Sequence, residues 1–600
     1  MKKTLLVASA LCMALTMQAQ EFGKTHAGRS TGQKPFPLET YEELANPIKT
    51  DLALWENVKQ VNVSWGSIDV RYKKEEPALK KITRTHNLAA WKGEKVSSQF
   101  VVWGNEDLDK LNFEVSEIKH NGSDYTIGNE QLTKGFVRYV MTDELNKDGR
   151  GGCGYRPNPE SFDSTLVADP IDHLTKTLKV KKQTSQGCWV GVKVPADAPA
   201  GNYSGTVTVK NGDKVLGSLA LRLKVNNRIL PEPTQWAFHL DLWQNPFAVA
   251  RYHQVEPWSE AHMKALKPYM ELYRDAGGKV ITASIMHKPW NGQTHDYFES
   301  MVTWVKKLDG SWYFDYAVFD KWVQFMFDLG IDKQINCYSM VPWKLSYQYF
   351  DQASNSFKTI ESKPGEKAYS EVWTAMLSSF AKHLKEKGWF DKTFISMDER
   401  PMEVMLTTLK LIRGVDPDFK ISLAGSLHDE LINELDDYCV ALSMKYTDEM
   451  VNKRRAAGKV TTYYTCCSEP YPNTFTFSAP AEGEWLGLYA AKAHLDGYLR
   501  WALNSWVVEP LLDSRFTAWA AGDTYQIYPG GRTSIRFERL IEGIQEYEKI
   551  RILREENKNN PAVLRKIDKA LQLIDERSLE EGQAAVILAK VKRMLKSVGL

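Results

Sequence analysis

Asp398 and Glu399 stand side by side in the stretch FISMDERP, residues 394–401. The residues before them read as the end of a buried strand, and Arg400 and Pro401 follow at once. Two adjacent acids can mark a helix start, because carboxylates suit the positive end of a helix and proline its first turn. They can also be a catalytic pair. Carboxyl groups that cleave a glycosidic bond usually stand ~5 Å or more apart, one as acid and the other as nucleophile or base. Neighbours on one strand suit a different route, in which the substrate's own 2-acetamido oxygen attacks its anomeric carbon. One acid then protonates the leaving oxygen. The other orients the acetamide N–H and stabilises the positive charge of the oxazolinium ring. An extended strand sends successive side chains to opposite faces, so this route requires the chain to turn at Asp398. A helix starting near Pro401 lowers the pKa of both acids, whereas a general acid has to hold its proton. The charge of Asp398 and exclusion of water act on Glu399 in the opposite sense.

The elements that would position this pair can be read from the rhythm of the chain. From residue 234 short apolar segments alternate with amphipathic ones. Strands are expected at 236–243, 279–285, 334–340, 393–399, 419–426, 438–444, 459–466 and 498–506, with helical stretches between most of them. Helix-linked strands pair in parallel, and eight of them make a (β/α)8 barrel, whose chemistry sits at the C-terminal strand ends. That rule ranks the remaining polar and aromatic residues. Asp241 and Trp243 end the first strand, His287 follows the second, and Tyr338 ends the third. Tyr463, then Asn473 in CCSEPYPNTF, follow from the seventh; Asn504 and Trp506 end the eighth. Aromatics, acids and amides on one rim form a sugar-binding cup. Each also has an ordinary structural reading: a loop cap, a satisfied core histidine, a plug of the barrel mouth.

Residues 60–230 read as an antiparallel β-sandwich. In YSGTVTVKNGDKVLGSLALRLKV apolar and polar residues alternate on both sides of an Asn211-Gly212-Asp213 turn. The sandwich shows no convergent polar cluster and is expected to pack structurally on the barrel. The domain order is then a signal peptide at 1–19, a lead-in segment at 20–59, the sandwich at 60–230, the barrel at 234–548 and a helical extension at 549–600. The signal reading rests on Lys2 and Lys3, an apolar run at Leu5–Leu15 and small Ala19. That run is too short for a membrane span, so an exported, periplasmic or secreted protein is expected. Lys+Arg 77 against Asp+Glu 75 leaves no basic footprint for nucleic acid. The 19 Trp and 26 Tyr agree with carbohydrate stacking. The cysteines show no paired C-x-x-C, so no zinc site is expected; Cys153 with Cys188 is the favoured disulfide, and vicinal Cys466-Cys467 reads as packing.

The motifs SMDERP, YYTCCSEPYPNTF, GYLRWALNSW, GDTYQIYPG and SIRFERLIEGIQEYE together resemble glycoside hydrolase family 123, the exo-acting β-N-acetylgalactosaminidases. The resemblance spans most of the chain. It implies a retaining, substrate-assisted hydrolysis of terminal β-linked N-acetylgalactosamine without metal or organic cofactor. Asp398 would polarise the acetamide and Glu399 would be the acid/base. The loop from Trp506 to Gly531 would form a wall of the site. Two other readings stand beside it. One is a retaining β-glycosidase with a separate nucleophile such as Asp241, Asp448 or Glu449. The other is a non-catalytic glycan-binding protein.

Overall fold

The computed structural model describes residues 38, 40–143, 164–516 and 518–599. The expected signal peptide, part of the lead-in segment and Cys153 lie outside the described residues.

Two sheets face each other in the N-terminal part. One runs in the order Asn62–Trp65, Lys95–Gly104, Thr184–Lys193, Leu132–Thr142, Thr165–Asp172, Thr533–Ser534. The other is built on Thr85–Lys92, Lys214–Ile229, Gly201–Asn211 and Leu108–Val115. The expected hairpin forms: Asn211 pairs with Lys214, and Gly212 takes φ +60°, which suits a residue without Cβ. Leu219, Leu221, Leu223 and Val225 point inward against Phe100, Val102 and Val190 of the facing sheet. Pairing is antiparallel throughout this region except between Lys214–Ile229 and Thr85–Lys92, which run parallel.

All eight expected barrel strands are present, at His239–Leu242, Val280–Ser284, Gln334–Tyr338, Thr393–Asp398, Lys420–Gly425, Asp437–Ala441, Val460–Tyr464 and Gly497–Arg500. They are numbered one to eight below. Every neighbouring pair is parallel, in the circular order one, eight, seven, six, five, four, three, two. A parallel bridge between Leu240 and Gly278 brings strand two back to strand one. Strands four and eight therefore stand on opposite sides of the ring. Their residues are buried almost throughout, as expected of parallel strands covered on both faces. The helices Ala481–Lys492 and Ile535–Glu556 cross at Gly487 and Gly543, where an added Cβ on Gly487 would meet the Gly543 carbonyl at 2.1 Å.

One element was not anticipated. The loops after strands two and three carry Thr303–Lys306, Trp312–Asp315, Ser346–Asp351 and Ser356–Glu361, which form a separate four-stranded sheet on the C-terminal side of the barrel. At the C-terminus the helix Ile535–Glu556 runs through residue 548, and Pro561–Leu571 and Ala584–Leu595 follow it.

The cysteine expectations need correction. Cys188 is a free thiol at 0% exposure in the sandwich core, so it does not pair with Cys153. Cys467 is disulfide-bonded rather than simply packed, while its neighbour Cys466 is free.

Candidate active site

The C-terminal ends of the barrel strands enclose a cup. Five indoles border it: Trp243, Trp290, Trp343, Trp501 and Trp519. Three carboxylates do as well: Asp398, Glu399 and Asp523. Apolar rings with a few carboxylates among them are the lining of a small-ligand pocket.

Asp398 is the last residue of strand four, and the helix Met402–Val415 begins after Pro401. The chain thus leaves the strand between the two acids, as the catalytic reading requires. Gly425, ending strand five, makes room: a Cβ there would lie 3.2 Å from the backbone N and Cα of Glu399. The Glu399 N–H donates to the Ala424 carbonyl at 2.7 Å and fixes the turn.

The two carboxyls have different surroundings. Asp398 is 6% exposed. Its Oδ2 accepts from the Trp343 indole at 2.7 Å and its Oδ1 from Arg400 Nη2 at 3.3 Å. Arg400 is itself held, by the Val341 carbonyl at 2.9 Å and by the face of Trp343 at 4.5 Å. Glu399 accepts one hydrogen bond on Oε1, from the Tyr464 hydroxyl at 2.8 Å. Burial raises its pKa above the usual glutamate value; the Tyr464 bond works against this, and the nearby charge of Asp398 adds to it.

The other sequence-derived candidates separate clearly. Trp243 borders the cup, stacked on Trp290 at 4.9 Å. Tyr338 is buried and packs against both indoles, at 4.6 and 5.0 Å. Tyr338 and the remaining six do not border the cup itself. Asp241 faces the barrel interior, where Asn336 donates to it at 3.3 Å; burial, followed by the charge of Asp437, pushes its pKa up to about 7. His287 is bonded to Glu299 at 2.8 Å. Tyr463 points away from the rim and donates to the Leu486 carbonyl of the helix Ala481–Lys492 at 2.6 Å. Asn473 ties its own loop together through the carbonyls of Cys466 and Glu469 at 2.8 and 2.7 Å. Asn504 exchanges hydrogen bonds with the backbone of Asn245, both at 2.9 Å. Trp506 is fully buried and donates to the Ile527 carbonyl at 2.8 Å.

Sequence reading did not single out Trp343, Trp501 or Trp519, and it gave Asp523 only as part of the loop expected to wall the site. Trp343 and Trp501 lie within five residues of a strand end and were within reach of the strand-end rule. Trp519 and Asp523 come from the loop 506–531, at no fixed distance from any strand. Tyr464 was passed over for Tyr463, and the alternation of side chains along strand seven reverses that choice. Among the described residues no group of three or more His, Cys, Asp or Glu is arranged to hold a metal ion.

A parallel barrel with an aromatic cup and paired carboxyls at its C-terminal mouth defines a glycoside hydrolase. The chain belongs to glycoside hydrolase family 123: the family's catalytic-domain model matches residues 243–553 and its N-terminal-domain model residues 65–211. A family 123 glycoside hydrolase from Clostridium perfringens, described through glycolipid glycan hydrolysis, is similar over 90% of this chain and 97% of its own, at 29% identity and TM-score 0.80. A family 39 glycoside hydrolase from Bacteroides cellulosilyticus WH2 aligns far more loosely, at 10% identity and TM-score 0.31 over 71% of this chain and 82% of its own. No curated protein sequence matches the chain.

Proposed function

We propose that this glycoside hydrolase is an exo-acting β-N-acetylgalactosaminidase that works with retention through its substrate's 2-acetamido group. Glu399 gives its proton to the leaving oxygen, and the acetamide carbonyl oxygen bonds to C1 as the glycosidic bond breaks. Asp398 accepts the acetamide N–H and stabilises the positive oxazolinium ring. Glu399, now ionised, takes a proton from the water that adds to C1, and the two inversions give net retention. No step calls on a metal or organic cofactor. The substrates are glycans with a terminal 2-acetamido sugar, including glycolipid glycans such as those named for the Clostridium perfringens relative. Export belongs to the same proposal, and the disulfide at Cys467 accords with an oxidising compartment.

The observation that carries the reading is the contrast between two adjacent carboxyls. Two donors make Asp398 an acceptor, while burial favours the protonated form of Glu399. The reading with a separate nucleophile is less well supported. Of the acids proposed for that role, Asp241 lies inside the barrel, and Asp448 and Glu449 are exposed at the start of the helix Asp448–Ala456.

A panel of aryl glycosides tests the proposal. Release only from 2-acetamido sugars is expected. Release from a plain β-galactoside would support the separate nucleophile, and no release at all would leave a glycan-binding protein.

A further inference from the structure

Asp523 stands across the cup from the acid pair. It is held by the end of strand eight: its Oδ1 accepts from Arg500 Nη2 at 2.6 Å and from the Trp501 indole at 3.2 Å. Asp398 ends strand four, which is the strand opposite strand eight in the ring. Asp523 is 0% exposed and borders the cup, yet its Oδ2 has no hydrogen-bond partner among the described residues. A carboxylate oxygen so deeply buried is costly to leave unmet, and a donor is required. Neither nearby indole supplies one to Oδ2. The Trp501 indole is already spent on Oδ1, and the Trp519 indole donates to the Gln293 carbonyl at 2.8 Å.

A pyranose ring placed with C1 and its C2 acetamide against Glu399 and Asp398 has a fixed far edge. C4 lies across the ring from C1, and C5, which carries C6, lies across from C2. The hydroxyls that reach the opposite wall are therefore O4 and O6. O4 is the group whose orientation separates galacto from gluco sugars.

We infer that Asp523 is a specificity-determining residue that accepts a hydrogen bond on Oδ2 from the O4 or O6 hydroxyl of the terminal sugar. The inference rests on the proposed acetamido-sugar reading of the site. Arg500 and Trp501 hold the carboxylate in place, so the orientation of the hydroxyl is read against a fixed acceptor. A site built to hydrogen-bond a hydroxyl discriminates strongly against a sugar that lacks or misplaces it.

The test uses the full chain with an aryl 2-acetamido-2-deoxy-β-D-galactopyranoside and its 4-deoxy and 6-deoxy analogues. Wild-type protein is expected to lose about 10- to 100-fold in kcat/KM on at least one analogue, the effect of removing one hydrogen bond to a charged group. Asp523→Asn is expected to lose a similar factor on the parent sugar and little more on that analogue, because both changes remove the same contact. Asp523→Glu keeps the charge that buried Arg500 requires, and decides the question if the Asn variant fails to fold. Its displaced carboxylate is expected to abolish the same discrimination. Turnover of the parent and both analogues within about threefold of each other by wild-type protein would overturn the assignment, as would losses that simply multiply. If folded wild-type protein does not cleave the parent at all, it is the acetamido-sugar reading that falls.

Discussion

Glu399 can act as a general acid only while it holds its proton. Its pKa is raised by burial, so the alkaline limb of kcat/KM is expected to lie above the ordinary glutamate range, with activity falling as pH rises through it. The Tyr464 hydrogen bond opposes that shift, so Tyr464→Phe is expected to move the limb to higher pH; a limb that moves down would remove Tyr464 from this role. Glu399→Gln is expected to lose about 10²–10⁴ in turnover on sugars with poor leaving groups and much less on aryl glycosides of acidic phenols. Its stability should show the opposite sign. A carboxyl whose folded pKa is raised destabilises the fold as pH climbs from its unfolded to its folded pKa, and the penalty persists above that. At pH 7 the Gln variant is therefore expected to melt no lower than wild type. Asp398→Asn keeps the shape and the Trp343 donor but loses the charge. A loss of about 10²–10³ in turnover, with weakened binding of a thiazoline mimic of the bicyclic intermediate, is the expected result. Normal thiazoline affinity in that variant would sink the substrate-assisted mechanism.

At the level of elements, the two loops that carry much of the cup wall are joined by a chain of buried hydroxyls. Thr476, on the loop after strand seven, meets Thr142 Oγ1 and Ser514 Oγ, both at 2.9 Å. Ser514 Oγ donates to the Met141 carbonyl at 2.8 Å, and the Thr476 hydroxyl reaches the Ala521 carbonyl at 3.1 Å. The sandwich strand Leu132–Thr142 thus pins the loop that delivers Trp519 and Asp523. Thr476→Val keeps the volume and strands these partners. It is expected to cost about 1–3 kcal/mol by denaturant titration. KM is expected to rise more than kcat falls, because the acid pair on strand four is untouched. An equal fall in kcat with unchanged KM would show that this wall is not coupled to binding.

Across the whole molecule, sandwich and barrel share a charged seam. Asp172 of the sandwich accepts from Arg532 Nε at 2.6 Å and from Arg138 Nη1 at 3.0 Å, with all three side chains at most 2% exposed. Asp169 does the same with Arg71 at 2.8 Å and Arg536 at 3.0 Å. The short strand Thr533–Ser534, on the barrel side, adds itself to the sandwich sheet beside Pro170 and Ile171. Removing one partner of such a buried pair leaves an uncompensated charge, so Asp172→Ala is expected to destabilise by about 3–5 kcal/mol. Calorimetry is expected to show sandwich and barrel melting in one shifted transition. Two separated transitions would mean that the seam does not bind them into one cooperative unit.

What the sequence determined by itself is whatever local rules carry. Apolar segments alternating with amphipathic ones predict eight parallel strands and their order of appearance, and the Asn211-Gly212-Asp213 turn predicts its hairpin. The acid pair is legible because a strand end can be located to within a residue or two. Only tertiary structure decided which rim residues meet. Tyr463 and Tyr464 differ by one position, and the direction of each side chain depends on which face of strand seven turns to the cup. Asn473, Asn504 and Trp506 have sugar-binding types, yet loop backbones claimed their polar groups first, since a buried carbonyl or N–H has to be paired. Asp523 lies in the GDTYQIYPG motif of the loop expected to wall the site, but no local rule assigned it a role. Its place opposite Asp398 follows from closure of the ring, which sets strand eight across from strand four.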